Sequence, residues 1–202
     1  TYIGAGPIQG ATVCIEATTG TCTGAEFTAT TAQDGTFSIT VDSGTTGALR
    51  GEGGFDPVTN LQFSEADSAA LGQPVTDQNF VVSPISDLMN EFNNSSDYDT
   101  FKSKLGLDSN FMIRFDNPFE SLTDAASNRA AVVNTQILIL YYLLEGIHTF
   151  ANDDAKNKIA SAIYNRTGSE TSLGDTTFIK DMLTNLDSDF SPTSDQLVSL
   201  SA

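Results

Sequence analysis

The sequence predicts an α+β protein, an N-terminal antiparallel β-sandwich followed by a C-terminal all-α bundle, and three observations carry that expectation. The hydrophobic period changes at Val81-Val82-Ser83-Pro84: apolar residues alternate before it and recur at helical spacing after it. The first part is punctuated by Gly, Asp and Asn at short intervals, the rhythm of short strands joined by tight turns. With 39% hydrophobic residues in 202, the chain has enough apolar material for packed cores rather than disorder. The expected domains are 1–82 and 83–202.

In the first part, Ala11, Val13 and Ile15 alternate with Thr12, Cys14 and Glu16, which gives a strand with one apolar face and puts Cys14 on the other. Phe27 and Ala29 alternate with Thr28 and Thr30. Asp34-Gly35 signals a turn, and residues 36–41 then show the cleanest alternation in the chain, with Phe37, Ile39 and Val41 inward. Ala48-Leu49-Arg50-Gly51 reads as another strand, Gly53-Gly54-Phe55-Asp56-Pro57 as a loop, and Asn79-Phe80-Val81-Val82 as the strand that closes the sheet.

Ser83-Pro84 is a helix start, a Ser N-cap before Pro at the first helical position. Ile85, Leu88, Met89 and Phe92 form its apolar stripe. A second helix carries Tyr98, Phe101 and Leu105 and stops at Gly106. Residues 111–119 are irregular and aromatic, since Pro118 disfavours helix just before it. The longest helix runs over about 123–150 and is apolar nearly all round between Val132 and Leu144, which predicts the centre of the bundle. Residues 153–166 form a further amphipathic helix, and Phe178, Ile179, Met182, Leu183 and Leu186 mark the last. The apolar run 137–144 is far shorter than the ~20 residues a membrane span needs, so it predicts a buried helix and no membrane insertion.

The charge balance is lopsided, 26 Asp and Glu against 9 Lys and Arg, a formal net charge of -17. Such a chain repels nucleic acid and anionic lipid. Residues 1–82 contain Arg50 but no lysine, which excludes a Lys–Asn isopeptide crosslink within that part. Cys14 and Cys22 flank Thr18-Thr19-Gly20, read as a hairpin tip, and predict a disulfide on the outer face of the hairpin. A hairpin disulfide in turn argues for an oxidising, extracellular compartment. The chain begins at Thr1 without a signal peptide, which reads as a processed chain or an excised piece.

The motifs Gly6-x-Ile8-x-Gly10-Ala11-x-Val13, Ala29-Thr30-Thr31-x-x-Asp34-Gly35-x-Phe37-Ser38 and Gly53-Gly54-x-Asp56, in that order, resemble the carboxypeptidase-regulatory-like, transthyretin-like (Cna-B-like) sandwich of bacterial surface proteins. Where such modules usually continue with Thr-Gly, this chain has Thr59-Asn60. In surface adhesins the module is often followed by a segment like Val82-Ser83-Pro84-Ile85-Ser86-Asp87-Leu88, then by elements like Leu105-Gly106-Leu107 and Asp116-Asn117-Pro118. The resemblance spans roughly residues 3–145 and implies an extracellular, non-catalytic module of a surface or filamentous protein.

Catalytic chemistry finds little support in the residues. The single histidine, His148, sits near the end of the long helix, and no nucleophile elbow, phosphate loop or His-pair metal motif occurs. The chain is therefore not expected to be an enzyme. Calcium is the one cofactor considered, because Asn152-Asp153-Asp154 and Asp187-x-Asp189 with Asp195 are oxygen-rich; neither matches an EF-hand, and no ligand set is assigned. Two function classes follow. The first is a surface filament subunit or adhesin module whose partners are further copies of itself or neighbouring surface-protein domains. It would self-associate by adding its N-terminal segment to a neighbour's sheet, through Thr1, Tyr2, Ile3 and Ile8. That expectation treats residues 1–10 as poorly anchored in their own domain. The alternative is a non-catalytic glycan-binding accessory domain, for which Tyr2, Phe55 and Phe63 are the aromatics placed in loops; the lack of tryptophan disfavours it.

Overall fold

The computed structural model describes residues 1–16, 21–62, 66–70, 79–91, 95–120, 125–147, 152–166, 172–186 and 192–194. Thr18-Thr19-Gly20, Phe63, Phe92, His148 and Asp187, Asp189 and Asp195 lie outside the described residues. The protein is α+β: among the described residues, strands occupy the first 70 positions and five α-helices follow them. It divides into two compact units, Thr1–Asn90 with Met112–Glu120, and Glu91–Phe111 with Ser121–Ala202.

The first unit is built on strands β1 (Thr12–Glu16), β2 (Thr28–Thr30), β3 (Ala48–Glu52) and β6 (Ala66–Ala70), in the order β2-β1-β3-β6 and antiparallel throughout. A separate two-stranded ribbon pairs β4 (Phe55–Asp56) with β5 (Leu61–Gln62). Asn60, before β5, has φ 58. Asparagine is among the few non-glycine residues that tolerate this left-handed conformation.

The register Val13↔Gly51 and Ile15↔Leu49 puts Val13, Ile15, Leu49 and Gly51 on one face of the sheet, while Cys14↔Arg50 and Thr12↔Glu52 occupy the other. The face assignment of Cys14 therefore agrees with the alternation. Its surroundings do not agree with the expectation. Cys14 and Cys22 form a disulfide with Cα atoms 5.5 Å apart, but both residues are buried. The bridge is not a cross-strand pair of a hairpin either, because the residue opposite Cys14 on β2 is Thr28. Cys22 instead reaches back over the polar face, where its N–H donates to Glu52 Oε1 at 3.0 Å, and Arg50 Nε donates to the same oxygen at 2.8 Å.

Two further strand expectations are corrected. Residues 36–41 keep their alternation, with Phe37, Ile39 and Val41 half-buried between exposed neighbours, yet among the described residues they form no ladder. Alternation records which side chains turn inward, not whether the backbone finds a partner. Residues 79–82 do not close the sheet: Val82 bridges in parallel to Tyr2, and Val81 N–H donates to the carbonyl of Arg114.

Helix α1 (Pro84–Met89) starts where the sequence places it. Ser83 Oγ accepts from Ser86 N–H, and Ser83 N–H donates back to Ser86 Oγ at 2.9 Å, a reciprocal cap. All six residues of α1 are buried and the helix lies against β6. The expected domain boundary at 82/83 therefore moves to Asn90/Glu91, because the first helix belongs to the core of the sheet unit.

The second unit holds α2 (Ser95–Leu105), α3 (Ala125–Ile147), α4 (Asn152–Asn165), one 3₁₀ turn at Ser172–Gly174 and α5 (Thr176–Leu186). Gly106 at φ 69 ends α2, with Gly106 N–H donating to Ser103 O and Leu107 N–H to Lys102 O, the paired bonds of a glycine stop. Arg129 from α3 donates to the last carbonyl of α2, Leu105 O, through Nε at 3.0 Å and Nη2 at 2.8 Å. The middle of α3 is buried on most sides between Ala130 and Tyr141, as its apolar run predicts, and α4 packs against α2, α3 and α5. Its stripe Ile159, Ala160 and Ile163 is buried, as are Ile179, Met182, Leu183 and Leu186 of α5. Asp175 caps α5 by accepting from Thr177 and Phe178 N–H, and pairs with Arg166 at 2.5 Å.

Tyr164 on α4 donates its hydroxyl to Asp97 on α2 at 2.9 Å, and this hydrogen bond, with lesser help from desolvation, raises the phenol above its ordinary value. A folded-state value raised above the unfolded one means that the bond's contribution is present below the ordinary tyrosine range and is lost as pH rises through the folded value. The Tyr164 ring signal, followed by NMR against pH, should therefore titrate above the ordinary tyrosine range. Asp97→Asn should lower that midpoint, and a Tyr164 titration unchanged by the substitution would contradict the assignment.

Candidate interaction site

The candidate site is the seat of the N-terminal segment on the first unit. Its residues were expected to be loosely held, and the structure corrects this. Tyr2 and Ile8 are 0% exposed and Ile3 is 2%. The nitrogen of Thr1 donates to Phe80 O at 2.6 Å, Val82 N–H donates to Thr1 O at 2.9 Å, and Ile3 N–H donates to Val82 O at 3.0 Å. Tyr2 N–H reaches Gly35 O at 2.9 Å. At the far end, Gln9 and Phe55 exchange both backbone bonds, at 2.9 and 2.8 Å. Between these ends the segment doubles on itself, with Ile3 bridged to Pro7 and Gly4 N–H donating to Gly6 O.

The seat is shaped by glycines. A Cβ on Gly51, in the middle of β3, would lie 2.7 Å from Cε1 of the Tyr2 ring and 2.8 Å from Cδ1 and Cζ. Gly51 has no left-handed backbone to explain it, so the Tyr2 ring is the physical reason for a glycine there. A Cβ on Gly54 would meet Ile8 Cγ2 at 2.7 Å and Gln9 O at 2.8 Å, and one on Gly35 would meet Tyr2 O at 2.6 Å. Tyr2 thus lies on the same face of the sheet as Val13 and Leu49, which it helps to cover.

Asp56 closes the seat. It is 0% exposed. Its Oδ2 accepts from Ala5 N–H at 3.0 Å, while Oδ1 accepts from Val58 N–H at 2.8 Å and from Thr59 N–H at 3.4 Å. The carboxylate therefore organises its own turn and ties the bend of the N-terminal segment to it. Sequence reading placed Asp56 only in a loop motif and Gly51 only in a strand. An isolated glycine inside a strand pattern was the available signal of close approach; nothing marked which segment approaches.

Other expected sites fare differently. Burial removes Tyr2 from any glycan-stacking surface, and Phe55 is half-buried in β4. Residues 152–154 form the first turn of α4. Among the described residues no cluster of three or more His, Cys, Asp or Glu is arranged to hold a metal ion, and no helix is long and apolar enough to cross a membrane. Compared with known proteins, the chain matches no family model, no curated protein and no solved structure. The transthyretin-like resemblance rests on its motifs.

Two expectations follow. Asp56→Ala should cost about 2–3 kcal/mol, the range for hydrogen bonds to a charged group, and should speed hydrogen exchange at the Ala5 amide. Asp56→Asn should fall between it and the parent, and a denaturation midpoint unmoved by either would refute the clasp. Reduction of Cys14–Cys22 should release two thiols and lower stability by about 2–3 kcal/mol, the loop-entropy value for a span of 8 residues. Thiol titration alongside denaturant melts measures both.

Proposed function

We propose that this chain is an extracellular structural protein, a surface filament subunit or adhesin module that self-associates through strand addition. The observation that carries the reading is the glycine-lined seat, a place on the sheet unit shaped to receive the bent N-terminal segment with Tyr2 and Ile8 as its anchors. The buried disulfide supports an oxidising compartment. In this reading the sheet with its β4–β5 ribbon is a transthyretin-like sandwich and the second unit is a helical bundle. Catalysis has no part in it.

Two features bear on how association is controlled. Lysine, a common residue for blunting exposed strand edges, does not occur in residues 1–82. The net charge of -17 acts in the opposite direction, since like-charged copies repel. Added salt screens that repulsion, and calcium bridges carboxylates of neighbouring copies without needing a built site. Sedimentation velocity of the intact chain should accordingly show species larger than the monomer as concentration and salt increase, with fibres or beaded assemblies by electron microscopy. A chain that stays monomeric at every concentration, in high salt and with calcium, would defeat the proposal.

A further inference from the structure

We infer that residues 1–9 are an exchangeable segment: the seat formed by Gly35, Gly51, Gly54 and Asp56 takes this segment either from its own chain or from a second copy, whose identical segment makes the same contacts. This rests on the reading of the chain as a self-associating unit and specifies how the copies are joined. Three features of the structure lead to it.

The fit between segment and seat is side-chain specific. Gly51 has room for the Tyr2 ring and for nothing bulkier on its own Cα, and Gly54 does the same for Ile8. The segment reciprocates at Gly6, where a Cβ would collide with Val58 Cγ2. A partner that satisfies all of these at once is this chain's own segment, and a second copy carries it.

The segment is joined to the sheet through one exposed residue. Gly10 has φ 66, and a Cβ placed on it would meet nothing within 4 Å. Its glycine is explained by backbone conformation and not by crowding. On one side of it Gln9 pairs with Phe55; on the other, Ala11 N–H donates to Thr31 Oγ1 at 2.9 Å and Thr31 N–H donates to Ala11 O at 2.9 Å. The fixed parts meet at this glycine, whose own N–H donates to Thr31 O at 3.1 Å, so a change of φ and ψ there redirects everything before it at the cost of that one bond and leaves the pairing of β1 in place.

The bonds that hold the segment run almost wholly between it and elements distant in sequence: Phe80 and Val82, Gly35, Phe55 and Asp56. None depends on the segment and the seat being in one chain. Exchange therefore conserves the contacts, and concentration decides between the closed monomer and joined copies. Because the donor end and the seat are different surfaces, the contact is head-to-tail, and copies add in a row unless the geometry closes a ring.

The test separates donor from acceptor. One variant carries Gly51→Leu, which fills the seat under Tyr2 and leaves the segment unseated. The other lacks residues 1–9 and keeps an empty seat. Mixed in equal amounts, they should give a one-to-one complex with about twice the monomer mass by light scattering, while each alone stays at monomer mass. Should the shortened chain be unfolded by itself, return of its thermal transition on adding the Gly51→Leu chain, or a synthetic peptide of residues 1–10, is the same positive result. A mixture that stays at monomer mass, with no recovery of the shortened chain, overturns the exchange. If the parent chain nevertheless assembles, self-association stands and its contact lies elsewhere. If the mixture pairs but the parent is monomeric under all conditions, the seat is exchangeable and the reading as an assembly subunit fails.

Discussion

The sheet unit depends on the seating of Tyr2 against Gly51. That contact lies on the face that carries Val13, Ile15 and Leu49, and the segment runs on from it so that Thr1 and Ile3 meet Val82 while Gln9 meets Phe55. Val82 is then held in place for the Ser83 cap, which starts a helix buried along its whole length. A larger residue at position 51 would displace the ring, and the strand pairing at Val82 would lose its partner. One missing Cβ therefore links the two ends of the unit, 80 residues apart in the chain by the Tyr2↔Val82 bridge.

The two faces of the sheet are closed by different means, and the physical reason lies in what each presents. The apolar face receives the Tyr2 ring at Gly51, where burial is favourable by itself. The opposite face carries Thr12, Cys14, Arg50 and Glu52, whose polar groups would be costly to bury unpaired. There the cover is the turn at Cys22, held by a covalent bond to Cys14 and by a hydrogen bond from its N–H to Glu52, which also pairs with Arg50. A covalent bond holds the cover of the polar face, and packing with backbone hydrogen bonds holds Tyr2 on the apolar one.

The helical unit shows how long-range polar contacts fix an arrangement that apolar stripes leave loose. Arg129 bonds the end of α2, Tyr164 joins α4 to Asp97, and Gln136 Nε2 on α3 donates to Leu173 O at 3.1 Å. Lys156, itself buried, lies over the Tyr141 ring at 5.1 Å from the centroid. Apolar spacing alone makes each of these helices amphipathic or buried. The pairings specify which end meets which.

By itself the sequence determined the local structure: the change from strands to helices at Ser83-Pro84, the glycine stop at Gly106, the long helix around residues 125–147 and the face on which Cys14 lies. These follow from hydrophobic period, capping chemistry and backbone freedom, all of which act over a few residues. Tertiary structure alone decided that α1 belongs to the sheet unit, that residues 36–41 keep their alternation without a ladder among the described residues, and that Tyr2, Ile3 and Ile8 are core residues. It also decided that Gly51 and Asp56 form the seat. Each of those outcomes depends on a partner far away in the chain, such as Tyr2 for Gly51 and Ala5 for Asp56, and the pattern around a residue carries no record of what will pack against it.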